Sequence, residues 1–225
     1  MNRLRKALVG VLAVGIAVTV VSAGTFASFS ASTTNAGSTF ATGTLILSNQ
    51  KDTATACLST GGGTTDTNAN ASCDDLFALA VKKPGDTATV DLTLTNEGSI
   101  DGSDLLGFAS SACAAADAAG ESANGTGNPC TGIDLYVQEF SDAGRTTASV
   151  CHYGGGTATT CAHSATETLH SFASDHADAT DGVSLGAIDG GDSRYLTIGV
   201  QLDAGAGNEM QGRQATFGFT WQLAQ

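Results

Sequence analysis

Thr87-Ala88-Thr89-Val90-Asp91-Leu92-Thr93-Leu94-Thr95 decides how this chain folds. Val90, Leu92 and Leu94 recur at every second position, with Thr89, Asp91, Thr93 and Thr95 between them. A side-chain period of two belongs to a strand with one face on a core and the other in water, and it does not fit one face of a helix. The preceding Lys83-Pro84-Gly85-Asp86 is a turn signal, because proline presets one φ and glycine supplies a positive one. Asn96-Glu97-Gly98 closes the segment.

The same period returns in Tyr195 to Leu202, where Leu196, Ile198, Val200 and Leu202 share a face. Near the C-terminus, Ala215 to Leu223 is a predicted strand that puts Phe217, Phe219, Trp221 and Leu223 on one side. Thr39 to Leu47, Leu76 to Val81, Ile133 to Phe140, Thr166 to Phe172 and Val183 to Ile188 complete the predicted strands. Only Asp104 to Ala119 reads as a weak helix. Many short strands separated by turns predict an all-β chain built as an antiparallel β-sandwich. The 29 glycines, with abundant Thr, Ser, Asp and Asn, supply turns and argue against a helical bundle. No linker divides the chain, so one domain is expected.

Nine basic against 22 acidic residues give a net charge of −13. Arg3, Arg5 and Lys6 precede every acidic residue, and setting them aside leaves six against 22, or −16. Nucleic acid is excluded as a partner, since the electrostatic contribution that dominates phosphate binding is repulsive here. An acidic, polar surface suits an exported protein that must stay soluble.

Arg3, Arg5 and Lys6 are followed by an uncharged apolar run from Ala7 to Ala23 and then by small residues through Ala27. This is the order of a secretory signal peptide. Residues 1–27 are therefore assigned as the signal, with cleavage between Ala27 and Ser28; cleavage after Ala23 also fits. A retained anchor is the competing reading, but Gly10, Gly15 and Thr19 weaken the run and no basic cluster follows it. Processing leaves no expected membrane span. The remaining 28–225 form the domain, and the expected location is secreted, at the cell surface or in an extracellular matrix.

Export makes the six cysteines, Cys57, Cys73, Cys113, Cys130, Cys151 and Cys161, a disulfide set. Spacing alone does not fix the pairing. Sequence neighbours, Cys57–Cys73, Cys113–Cys130 and Cys151–Cys161, are favoured because each pair brackets a stretch of small residues with little else to hold it. Residues 61–71, 114–127 and 154–160 accordingly read as stapled surface loops.

Three blocks carry a resemblance. The first is Gly24-Thr25-Phe26-Ala27-Ser28-Phe29-Ser30, then Asn35, then Phe40-Ala41-Thr42-Gly43-Thr44-Leu45-Ile46-Leu47. The second is Lys83-Pro84-Gly85-Asp86 with the strand after it and the exit Asn96-Glu97-Gly98-Ser99, and the third is Asn208-Glu209-Met210-Gln211-Gly212 with the final strand and Ala224-Gln225. In these the chain resembles the TasA/camelysin family of proteins exported through a dedicated signal peptidase. The resemblance implies a jelly-roll β-sandwich whose members build biofilm-matrix fibres by passing an N-terminal strand into the next subunit. Camelysin-like members are instead classed as metallopeptidases, so two functions stay open.

The chemistry of a zinc peptidase is weakly represented. His-Glu-x-x-His is absent, and the nearest arrangement, His163, Glu167 and His170, shares a face only on a helix, whereas Thr166, Thr168 and Phe172 favour a strand. His152, His163, His170 and His176 read as solvated loop or edge residues. Asp66-Thr67-Asn68-Ala69-Asn70 alternates oxygen ligands like a calcium loop but has Ala71 and Phe77 where glycine and glutamate are needed. Asp178, Asp181, Asp189 and Asp192 sit in glycine-flanked turns. The glycine runs at 61 and 154 lead into no helix, so no phosphate or dinucleotide site is expected, and neither a catalytic residue, a metal nor a cofactor is assigned.

The functional expectation is a fibre subunit. Residues 28–42, with Phe29 and Phe40 as anchors, would add a strand to the open edge of another copy, a head-to-tail contact that propagates. The partner is the chain itself, with other matrix or surface proteins beside it. A secreted zinc peptidase and a monomeric surface-binding module are the rivals.

Overall fold

In the computed structural model, residues 42–61, 68–78, 83–121 and 125–225 are described. Their strands are, in chain order, β1 (Leu47–Lys51), β2 (Cys57–Leu58), β3 (Thr87–Asn96), β4 (Asp104–Ala109), β5 (Ala114–Asp117), β6 (Ile133–Phe140) and β7 (Ala148–Tyr153). After them come β8 (Gly155–Gly156), β9 (Cys161–Ala162), β10 (Val183–Ser184), β11 (Ser193–Leu202), β12 (Arg213–Thr216) and β13 (Phe219–Ala224). The larger sheet runs β2-β1-β3-β11-β6-β7 and the smaller β10-β4-β13, with two-stranded ribbons β12-β5 and β8-β9. Every pairing is antiparallel. The chain is all-β, as its two-residue period predicts.

β3 and β11 are the centre of the larger sheet. Val90, Leu92 and Leu94 of β3 and Leu196, Ile198 and Val200 of β11 all face inward and are buried. Leu135 and Val137 of β6 join them, and Leu105 and Ala109 of β4 meet them from the smaller sheet, giving one core between two layers. At the end of β3, fully buried Asn96 ties a corner. Its side-chain amide donates to the carbonyls of Ile100 and Ile188 (2.8 and 3.3 Å), and its Oδ1 accepts from the Gly98 N–H at 3.0 Å. The exit motif is thus a satisfied buried polar device.

The three disulfides join Cys57 to Cys73, Cys113 to Cys130 and Cys151 to Cys161. Asn128 caps the helical turn Pro129–Gly132, accepting from the Cys130 N–H at 3.0 Å, and this turn carries one cysteine of the second bridge.

Several expectations are corrected. Thr166 to Phe172 is not a strand. Leu169–Asp175 is a helix, opened by Thr168 and Ser171, whose hydroxyls each accept the other's backbone N–H (3.2 and 2.7 Å). Leu169 and Phe172 then fall on one helical face and are buried. Asp104 to Ala119 is not a helix but β4, a corner and β5. The segment Ala215 to Leu223 is interrupted at Phe217-Gly218, so that β12 leaves the sandwich to pair with exposed β5. Val183 to Ile188 is strand only over Val183–Ser184, with a single bridge from Ile188 to Gly102. The first strand begins at Leu47, where the predicted one ends, and residues 76–78 form no strand. Residues 39–41 and 79–81 of those two segments lie outside the described residues.

Candidate functional site

β13 closes the smaller sheet on one side. Gly218 and Ala224 direct their carbonyls towards β4, accepting from Ser110 and Ser103 at 2.9 Å each. β4 in turn shows its other set to the opposite neighbour, with the Leu105 N–H on the Gly186 carbonyl at 3.0 Å. In an antiparallel ladder such orientations alternate, so Phe219, Trp221 and Leu223 point their backbone N–H and C=O groups away from β4, along the outer edge. Among the described residues no strand pairs with that edge.

The same three residues send their side chains into the core, half-buried, as cross-strand neighbours of Ala109, Gly107 and Leu105. Trp221 covers Gly107, where a Cβ would lie 2.5 Å from the indole. Its ring stacks on Phe219 at 5.7 Å between centroids, and Phe219 meets Phe172 and Phe217 edge-on or tilted. From Gln214 to Gln225 there is no charged side chain. Natural sheet edges are commonly guarded by charge or proline, and this one carries neither.

The first described residues are held at a corner of the fold. Thr44 is clamped to the corner after β3: its carbonyl accepts from Ser99 and Ile100 (2.8 and 3.2 Å), and its N–H donates to the Ser99 hydroxyl at 3.1 Å. Gly43 lies against Ile100, and Gly102 against Leu223, leaving no room for a Cβ at either. Thr42 therefore sits at the corner that also receives the end of β13. Ala27, Ser28, Phe29 and Phe40 lie outside the described residues, as does the donor segment 28–42 apart from Thr42.

A buried charged cluster occupies one end of the core. Glu139 continues the inward face of Leu135 and Val137 and contacts the His152 imidazole at 2.6 Å and the Arg194 guanidinium at 2.9 Å. Side-chain exposure is 8% for Glu139 and His152 and 32% for Arg194, which is why the cluster must be paired. Burial opposes ionisation of Glu139, but the His152 hydrogen bond and the Arg194 charge outweigh it and hold the carboxyl below its ordinary range. His152 gets there through irregular pairing. Val137 faces Tyr153 while Gln138 faces Cys151, so His152 is an extra residue on β7 and turns inward. Its expected solvated position is corrected.

His163 and His176 also depart from that reading. His163 lies edge-on against Tyr136, with Nδ1 buried and unpartnered among the described residues, and desolvation lowers its pKa. His176 packs on Tyr153 and Phe172 and pairs with the Asp181 carbonyl at 2.6 Å. His170 alone is exposed, on the helix. Glu167 precedes that helix, where its carbonyl accepts from Leu135, so the three peptidase candidates do not share one helical face. Among the described residues no three His, Cys, Asp or Glu side chains gather to hold a metal ion.

Asn68 and Asn70 spend their amides on the backbone of Leu45 and Leu58, as loop ties; Asp66 and Thr67 lie outside the described residues. Asp178 is a turn residue, accepting from Thr180 at 2.7 and 2.6 Å, and the Asp192 N–H closes a turn on the Asp189 carbonyl at 3.0 Å.

On the outer face of the larger sheet, Arg145, in the left-handed region at φ 52, reaches over the strands. It donates to Thr93 at 3.1 Å, approaches Asp91 at 3.5 Å and lies 5.9 Å from the Tyr195 ring centre. The position of this clamp has no sequence signal. No helix among the described residues is long and apolar enough to cross a membrane. Comparison with protein-family models gives no match, and comparison with curated proteins gives none either.

Proposed function

We propose that this chain is a secreted or cell-surface structural subunit. It assembles head-to-tail into fibres of the biofilm-matrix type, residues 28–42 of one copy adding a strand to the next. The reading rests on the resemblance to the TasA/camelysin family, with its jelly-roll form of the sandwich, and on one observation: the outer edge of β13. That edge has ladder groups with no strand partner among the described residues, carries no charge, and lies directly over half-buried Phe219, Trp221 and Leu223.

An extended segment laid there gains main-chain hydrogen bonds, while its alternate side chains meet an aromatic floor that sets register. Donor and edge are different surfaces of the molecule, so the contact is heterologous and continues into a filament. The donor is fit for the task because no charged residue lies between Lys6 and Lys51, in a chain otherwise strongly acidic. Cleavage between Ala27 and Ser28 frees it only after export, and three disulfides suit that oxidising destination.

Electron microscopy of the mature protein with and without residues 28–38 tests the proposal. Filaments from the full mature chain and none from the shortened one are expected; filaments from both overturn it. Casein digestion by the same preparation, abolished by chelator and by Glu167→Gln, would establish the peptidase reading in its place.

A further inference from the structure

Asp134 carries an acidic group into a place that offers it no donor. The residue is 5% exposed, and its Oδ1 is enclosed without a hydrogen-bond partner among the described residues. Arg145, Arg194 and Arg213 are committed elsewhere, to Asp91, Glu139 and Asp117, so no arginine among the described residues neutralises it. A buried carboxylate with neither donor nor counter-ion must take up a proton or a cation.

A second carboxylate decides between them. Leu135 and Val137 face the core, so Asp134 lies on the opposite face of β6, across from Gln201 of β11. The Asp203 N–H donates to the Gly132 carbonyl at 2.9 Å and carries that ladder one pair beyond Leu202 and Ile133. Asp203 is therefore the diagonal neighbour of Asp134 on one face, at about 7–8 Å between Cα atoms and less between Cβ atoms. An ion about 2.3–2.6 Å from one oxygen of each carboxylate fits that separation. The Gly205 N–H donates to Asp203 Oδ1 at 2.8 Å and holds this group in place. Opposite Asp203, Gly132 has no side chain, and Met210 fills the space, its Cε 2.7 Å from where a Cβ would lie. A thioether donates no hydrogen bond, so this neighbour satisfies neither carboxylate. Burial and the Asp203 charge raise the Asp134 pKa, and a bound cation relieves both.

We infer that Asp134 and Asp203 form a binding site for a hard divalent cation of the calcium class, at the end of the β6 and β11 pair. Two carboxylates supply oxygen ligands only, which selects against zinc, and carbonyl groups or water complete a coordination shell that calcium accepts in flexible geometry. With so few protein charges the affinity falls in the range of extracellular calcium modules, about 10⁻⁴–10⁻³ M.

The test is the thermal midpoint of the mature protein in about 10 mM calcium chloride against sodium chloride of equal ionic strength, at least tenfold above that range of affinity. A rise of about 3 °C or more is expected for the wild type. Asp134→Asn and Asp203→Asn abolish the rise, whereas Glu121→Gln, which removes one exposed charge, keeps it. Asp134→Asn removes a buried charge and folds at least as well as the wild type, so its lost response reports the site and not unfolding. No rise beyond the sodium control, or an undiminished rise in either Asn variant, overturns the inference. Neither outcome bears on the fibre reading, which rests on other residues.

Discussion

Replacing Glu139 by Gln keeps the shape of the side chain and removes its charge, and the cluster around it sets the cost. Breaking a buried ion pair from one side costs about 3–5 kcal/mol when the abandoned charge stays buried. Here Arg194 is a third exposed and keeps the Ala187 carbonyl as a partner, so water recovers part of that loss. The expected loss is about 2–3 kcal/mol at neutral pH, a fall in melting temperature of about 5–10 °C for a domain of this size.

The pH dependence gives the experiment a second arm. Glu139 is held below its ordinary range in the folded chain, so its stabilising effect is full above the unfolded value, near 4.5, and disappears as pH falls through the folded value. The gap between wild type and Glu139→Gln should therefore be widest at pH 7 and close towards pH 3. Calorimetry across that range decides it. A gap within about 1 °C at neutral pH, or one that stays constant on acidification, would refute the reasoning.

Asp134 is buried, its Oδ1 finds no partner among the described residues, and burial together with nearby Asp203 raises its pKa. The folded value lies above the unfolded one, so the wild type loses stability as pH rises; Asp134→Asn should gain about 1 kcal/mol near pH 7 and nothing below about pH 4, by chemical denaturation. Gly199→Ala places a Cβ 2.2 Å from the Tyr136 ring and should cost about 1–3 kcal/mol, a penalty that shrinks when Tyr136→Leu is present. Changing Cys113 and Cys130 together to Ser opens a bridge of sequence separation 17 and should cost about 3 kcal/mol, read as a lower urea midpoint.

The centre of the fold was legible because the apolar residues of β3 and β11 keep the two-residue period, and burial of that face leaves them no other register. Thr166 to Phe172 misled because Thr and Phe are strand formers by local preference. Leu169, Phe172 and Ala173 are also spaced for a helix, and their packing on the core decides between the two. Asp104 to Ala119 misled through its alanines. β4 hides its strand character because Gly107 replaces the large residue its inward face would otherwise carry, and the missing volume is supplied by Trp221 from β13.

The sites divide along the same line. An uncharged final strand and an uncharged leading segment are visible in composition, because charge guards an edge by its presence at known positions. The Glu139 cluster is invisible there, since an extra residue in β7 turns His152 inward and nothing in Ser149-Val150-Cys151-His152 announces it. Charge is also what links the two. The chain pairs the buried carboxylate of Glu139 and bears most of its acidity on the surface, so copies brought together repel except along the stretches that carry none. The proposed assembly by β13 and residues 28–42 should therefore accelerate with salt, which screens the acidic surfaces without touching an uncharged contact. Light scattering at low and physiological ionic strength measures that, and slower assembly at the higher strength would place charged groups in the contact and exclude this pairing.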